Sequence, residues 1–183
     1  MVMPKLSFHG AAGCVTGSCF RLETGQGDIL IDCGLFQGSK TERELNYRPF
    51  PFRPADIAAV ILSHAHIDHS GLLPKLVRDG FSAPIHATGA TQDLCGVMLP
   101  DSAHIQEFEV EHLNRRNRYR HRDEVEPIYT AADVEACLAL FQPQPYDEWF
   151  AVLPGIRARF WNAGHIVPVH RDAQGCGSLV ALG

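Results

Sequence analysis

The run "IAAVILS", residues 57–63, is apolar almost without interruption and enters "HAHIDHSG" directly. A strand with one solvated face alternates apolar and polar residues, whereas an unbroken apolar strand must be covered on both faces. Such strands belong to layered α/β domains. Next, "SGLLPKLVRDGF" places Leu72, Leu73, Leu76 and Val77 at helical spacing, with Gly80 as a stop. "APIHAT" is the expected next strand.

The remainder fits the same class. "KLSFHG", "SCFRLET" and "DILIDCG" are short strands punctuated by glycine turns. From Ala90 to about Arg116 the pattern is helical, and Pro100 is expected to divide it into two helices, with Asp101 or Ser102 near the second N-cap. "TAADVEACLALF" predicts a helix capped by Thr130. "PQPYDEWFAVLPGIRARFWNAGH" then alternates as strands around a Pro-Gly turn, and "GSLVALG" is strand-like. A single α/β domain over residues 1–183 is expected.

Composition narrows the class further. Apolar residues make up 45% and charged residues 20%, as in a soluble globular protein. No stretch approaches the roughly 20 apolar residues of a membrane helix, and no signal-peptide core is present, so a cytoplasmic location is the default expectation. The net charge of −5 offers no global attraction to nucleic acid, so any such binding needs a local basic patch. Cys14, Cys19, Cys33, Cys95, Cys137 and Cys176 form no CxxC pair, which argues against a cysteine-type zinc module and a dense disulfide framework. They are expected to be small buried hydrophobes.

His64, His66, Asp68 and His69 give the chain its chemistry. In an extended segment, alternate residues project to one side, so both imidazoles of His64-x-His66 can reach one ion. Asp68 and His69 follow where the chain turns into a helix and can address a second position. Imidazole suits zinc, and an added carboxylate suits zinc, manganese or iron. The cluster lies at the carboxyl end of a strand, where open α/β sheets gather ligands.

Together, "GAAGCVTGSCFRLE", "ILIDCGLFQG", "HAHIDHSGLLPKL", "DSAHIQE", "PYDEWF" and "NAGHI" resemble the RNA-processing β-CASP branch of the metallo-β-lactamase superfamily. The resemblance runs from Leu6 to about Val167. It implies a four-layer αββα sandwich with a dinuclear zinc site and hydrolysis of a phosphodiester by zinc-activated water. His64, His66 and His165 would hold the first zinc, and Asp68 and His69 the second. Asp68 would also steer the attacking water. Asp32 of "LIDCG" would orient the ligand cluster through hydrogen bonds.

The chain also departs from that pattern. The branch continues into an inserted β-CASP domain and a second half of the sandwich, which supply a bridging aspartate and a further histidine. The 18 residues after His165 cannot hold those parts. The expectation is therefore the N-terminal portion of the fold, an incomplete sandwich made of the first sheet, part of the second and flanking helices. One well-held zinc and a second weak or absent one follow. Asn162 stands where the branch commonly has an acid, and His170 and Asp172 are covered by no family motif. Alternative readings are a small-ester or thioester hydrolase of the same superfamily, and a catalytically incomplete zinc-binding chain. The latter would need a homodimer or a complementing chain.

Other residues carry weaker signals. Arg115, Arg116, Arg118, Arg120 and Arg122 in "NRRNRYRHR" are a candidate RNA-backbone patch, with Tyr119 available for stacking. The competing reading is a solvated helix end. "GAAGCVTGS" lacks the P-loop lysine and reads as a tight turn near the site. His104 and Glu107 belong to a helix surface that could face the cleft, and Trp149 and Phe150 are expected to pack in the core.

Overall fold

The computed structural model describes residues 3–162 and 178–182. Strands β1 (Lys5–Phe8), β2 (Phe20–Thr24) and β3 (Gly27–Ile31) form an antiparallel meander. Thr24 pairs with Gly27 across the two-residue β2–β3 turn, and its hydroxyl donates to the Gly27 carbonyl at 2.6 Å.

From β3 onward the sheet is parallel, through β4 (Ile57–Ile61), β5 (Ile85–Thr88) and β6 (Phe141–Gln144). Parallel neighbours need crossover connections. The first carries the short helix α1 (Lys40–Arg43), closed by a Ser39/Glu42 capping box. The second carries α2 (Ile67–Ser70) and α3 (Leu73–Arg78), and the third carries α4 (Gly89–Tyr119) and α5 (Ala131–Leu138). A smaller antiparallel sheet contains β7 (Phe150–Leu153), β8 (Ile156–Asn162) and β9 (Ser178–Leu182).

The β4 sequence is apolar throughout because it serves two cores. Val60 and Leu62 join Leu30, Ile85 and Ala87 beneath the helices, against Leu73, Leu76, Cys95 and Leu99. Ile61 and Ile29 face the other way and meet Ala158 and Phe160 of the second sheet. The described layers are thus helices, large sheet and small sheet. Full burial of a side chain such as Phe160 contributes about 1.5–3 kcal/mol.

Two sequence expectations need correction. Pro100 does not divide its helix: α4 runs continuously from Gly89 to Tyr119 with Pro100 inside it. Thr91, Cys95, Leu99 and Ala103 are all buried, one helical turn apart, on both sides of the proline. That continuous stripe outweighs the roughly 3 kcal/mol cost of an interior proline. Trp149 is not in the core either. It is 42% exposed, with the guanidinium groups of Arg157 and Arg159 each 5.4 Å from its ring, while Phe150 does pack against the inter-sheet core. The α5 helix has the expected Thr130 cap, completed by Asp133. Four of the cysteines (Cys19, Cys33, Cys95 and Cys137) are buried, as expected of small hydrophobes, and Cys14 is partly exposed.

Candidate metal centre

Asp32 follows β3 with a φ of 59°, a left-handed conformation that aspartate tolerates better than most residues. Its amide donates to the Ile61 carbonyl at 3.0 Å, which fixes the turn against the end of β4. The turn directs the carboxylate, only 3% exposed, towards the segment leaving β4. There it accepts the Ser63 amide on Oδ1 and the Ser63 hydroxyl on Oδ2, both at 2.7 Å. His69 Nδ1 reaches the same Oδ2 at 2.8 Å. A buried carboxylate needs such donors to offset lost solvation.

The histidine loop is held from its other side by backbone contacts. Cys33 N donates to the His69 carbonyl, Leu35 N to the Ile67 carbonyl, and Ser18 N to the Asp68 carbonyl. Gly34 makes this approach possible, because a Cβ there would overlap the Asp68 carbonyl. Ser70, fully buried, donates its hydroxyl to the Ala65 carbonyl at 2.8 Å, tying α2 back to the loop.

These constraints bring the ligand-type side chains together. His64 Nε2 lies 3.1 Å from His66 Nδ1. Two nitrogens bound to one tetrahedral zinc at ~2.0–2.1 Å stand about 3.3 Å apart, so this pair has chelating spacing. His69 Nε2 lies 3.6 Å from Asp68 Oδ2, and the His64 and His69 rings are 4.0 Å apart between centroids. Two adjacent donor pairs result, both with chemistry that suits zinc. Among the described residues, no group of three or more histidine, cysteine or acidic side chains surrounds a single point. His165, expected as a third ligand, lies outside the described residues, as do His170, Asp172 and Cys176.

Electrostatics separate the histidines. Burial, reinforced by the neighbouring His69, lowers the His64 pKa to about 4, so its imidazole is neutral at pH 7 and able to ligate. Burial also opposes charge on His69, but the Asp32 hydrogen bond and the Asp32 and Asp68 carboxylates outweigh it, and its pKa is raised. Cys33, beside Asp32, is fully buried, and burial pushes its thiol well above the usual range, which suits packing and not nucleophilic attack.

The remaining sequence candidates lie elsewhere. His104 is exposed, and Glu107 accepts the Ala131 amide at 3.0 Å at the start of α5. The arginine-rich segment is the end of α4. Asn114 and Asn117 are buried there and fasten the returning chain by hydrogen bonds to Val125 and the Asp123 carbonyl. Arg115 pairs with Glu111 at 3.3 Å and Arg118 with Glu124 at 2.7 Å, whereas Arg116, Arg120 and Arg122 are exposed. Among the described residues, no helix is long and apolar enough to cross a membrane. Sequence reasoning missed Ser63, Ser70 and Gly34. The only available signal for Gly34 was a glycine directly after a strand-end aspartate and cysteine.

The family model of the metallo-beta-lactamase superfamily matches residues 12–107. Ribonuclease TTHA0252 of Thermus thermophilus is 38% identical over 157 residues, which cover 86% of this chain and 32% of that protein. Transcription termination factor FttA of Methanocaldococcus jannaschii is 30% identical over 163 residues, covering 89% of this chain and 24% of that protein. The chain thus spans a third or less of the length of these curated relatives. Among solved structures, a HARLDQ-motif metallo-beta-lactamase mutant of Cronobacter sakazakii matches with a TM-score of 0.54 and 19% identity, covering 99% of this chain and 58% of that one. This likeness supports the fold. With the sheets, the donor pairs and the family match in agreement, the chain belongs to the metallo-beta-lactamase superfamily.

Proposed function

We propose that this chain forms the metal-holding part of a zinc-dependent ribonuclease of the β-CASP branch. The observation that carries this reading is the pairing of His64 with His66 and of His69 with Asp68 in one short loop, with His69 held by the buried Asp32 carboxylate. The names of the relatives direct the chemistry to RNA. They include a ribonuclease, a probable RNase and transcription termination factors. The small-ester reading draws no comparable support.

In this reading His64, His66 and His165 would hold the first zinc, and Asp68 and His69 would hold a second, weaker one. Bound zinc would supply Lewis acidity and a water made acidic near neutral pH. Asp68 would also steer the attacking water. Asp32 fixes the ring of His69 through Nδ1, so that Nε2 faces Asp68. Arg116, Arg120 and Arg122 offer guanidinium groups to the phosphate backbone of RNA, with Tyr119 exposed beside them for stacking. Arg115 and Arg118 contribute less, because each already has a carboxylate partner.

The test combines metal content with cleavage of a labelled single-stranded RNA, comparing the protein with its His64→Ala variant. We expect one tightly held zinc per chain and cleavage that disappears in the variant. Cleavage that persists in His64→Ala overturns the assignment. Zinc binding without cleavage favours the reading that the chain needs a partner to complete its site.

A further inference from the structure

Resting on the reading of a zinc site, we propose that Ser63 is a positioning residue that locks His64 in the tautomer whose Nε2 lone pair is turned to the metal. Asp32 accepts the Ser63 amide on Oδ1, and His69 Nδ1 and the Ser63 hydroxyl on Oδ2. An ionised carboxylate has no hydrogen to give, so the single Ser63 hydroxyl hydrogen points to Asp32. The Ser63 oxygen also lies 3.0 Å from His64 Nδ1. With its hydrogen already committed, that oxygen can only accept, and Nδ1 of His64 must donate. A neutral imidazole with hydrogen on Nδ1 carries its lone pair on Nε2. Nε2 is the atom that lies 3.1 Å from His66 Nδ1.

Asp32 therefore controls a histidine of each donor pair. It reaches His69 directly and His64 through the Ser63 hydroxyl, and both rings carry hydrogen on Nδ1 with Nε2 left for the ion. Such hydrogen-bond partners set which ring nitrogen binds a metal, and their loss costs about 10–100-fold in metal affinity. Alanine at position 63 keeps the backbone amide bond to Asp32 and removes only the relay. Threonine keeps the hydroxyl.

The experiment records long-range proton–nitrogen correlation spectra of metal-free protein labelled with ¹⁵N-histidine. His64 is assigned by the signals lost in His64→Gln. The expected result is His64 with hydrogen on Nδ1 in the unmodified protein, a shift towards hydrogen on Nε2 in Ser63→Ala, and return in Ser63→Thr. Competition for zinc with a chromophoric chelator should show affinity about 10–100-fold weaker in Ser63→Ala and restored in Ser63→Thr. Hydrogen on Nε2 of His64 in the unmodified protein overturns the proposal. So does a Ser63→Ala variant with unchanged tautomer and zinc affinity. The unmodified spectrum decides the tautomer even if a variant fails to fold. A protein with the expected tautomer and zinc binding but no RNA cleavage refutes the ribonuclease reading and leaves the role of Ser63 standing.

Discussion

His69 Nδ1 and Asp32 Oδ2 lie 2.8 Å apart although 37 positions separate them in the chain. The bond joins the end of β3 to the short helix after β4 and gives the histidine loop its fixed point. Replacing Asp32 with asparagine preserves size and tolerance of the left-handed backbone, so its effect reports hydrogen bonding and not strain. The amide group of asparagine would confront donors that now meet an acceptor. Asp32→Asn should destabilise the metal-free protein by about 1–3 kcal/mol in urea unfolding. It should also weaken zinc binding by about 10–100-fold in chelator competition.

Two glycines should respond in opposite directions. A Cβ at Gly34 overlaps the Asp68 carbonyl, which is backbone and cannot swing aside. Gly34→Ala should cost about 1–3 kcal/mol or more and disturb the ligand loop. At Gly96, inside α4, a Cβ meets nothing within 4 Å. Gly96→Ala should stabilise the protein by about 0.5–1 kcal/mol through helix propensity. Thermal unfolding of the two variants checks both signs.

The continuity of α4 through Pro100 depends on its buried stripe. Leu99 is fully buried, and Leu99→Ala should cost about 2–5 kcal/mol. Pro100 is exposed, and its removal restores a helix donor, so Pro100→Ala should not lower the midpoint. Denaturant titrations of the pair would show whether packing or propensity sustains the helix.

Acid should weaken the fold through His86. It is buried on β5, with Gln144 Nε2 at 3.2 Å from its Nδ1, and burial lowers its pKa. The unfolded chain takes up a proton as pH falls below the ordinary histidine value of 6.5, while the folded protein resists until its lowered value is reached. Stability contributed by neutral His86 is therefore full above pH 6.5 and lost as pH falls from there towards the lowered folded-state value. His86→Gln should flatten the decline in unfolding free energy as pH falls below the ordinary histidine value of 6.5.

Much of the fold was legible in the sequence because its signals are local. The unbroken apolar run of β4 announced two covered faces, and the Thr130 cap and the Gly80 stop marked helix limits. The closeness of His64 to His66 and of Asp68 to His69 was legible for the same reason, since one short segment contains all four. Pro100 misled because propensity is local while the burial of Cys95, Leu99 and Ala103 is not. Trp149 misled because aromatic character does not say whether a residue just outside a strand turns to the core or to solvent.

Sequence by itself determined that a cluster of ligand-type side chains directly follows β4. Only the tertiary structure decided how they are held. Asp32, Ser63 and His69 meet because β3 and β4 are parallel neighbours, and Gly34 matters only because the loop after β3 presses against the Asp68 carbonyl. Hydrogen bonds and close approaches act over a few ångströms of space, and sequence distance carries no record of them until the chain is folded.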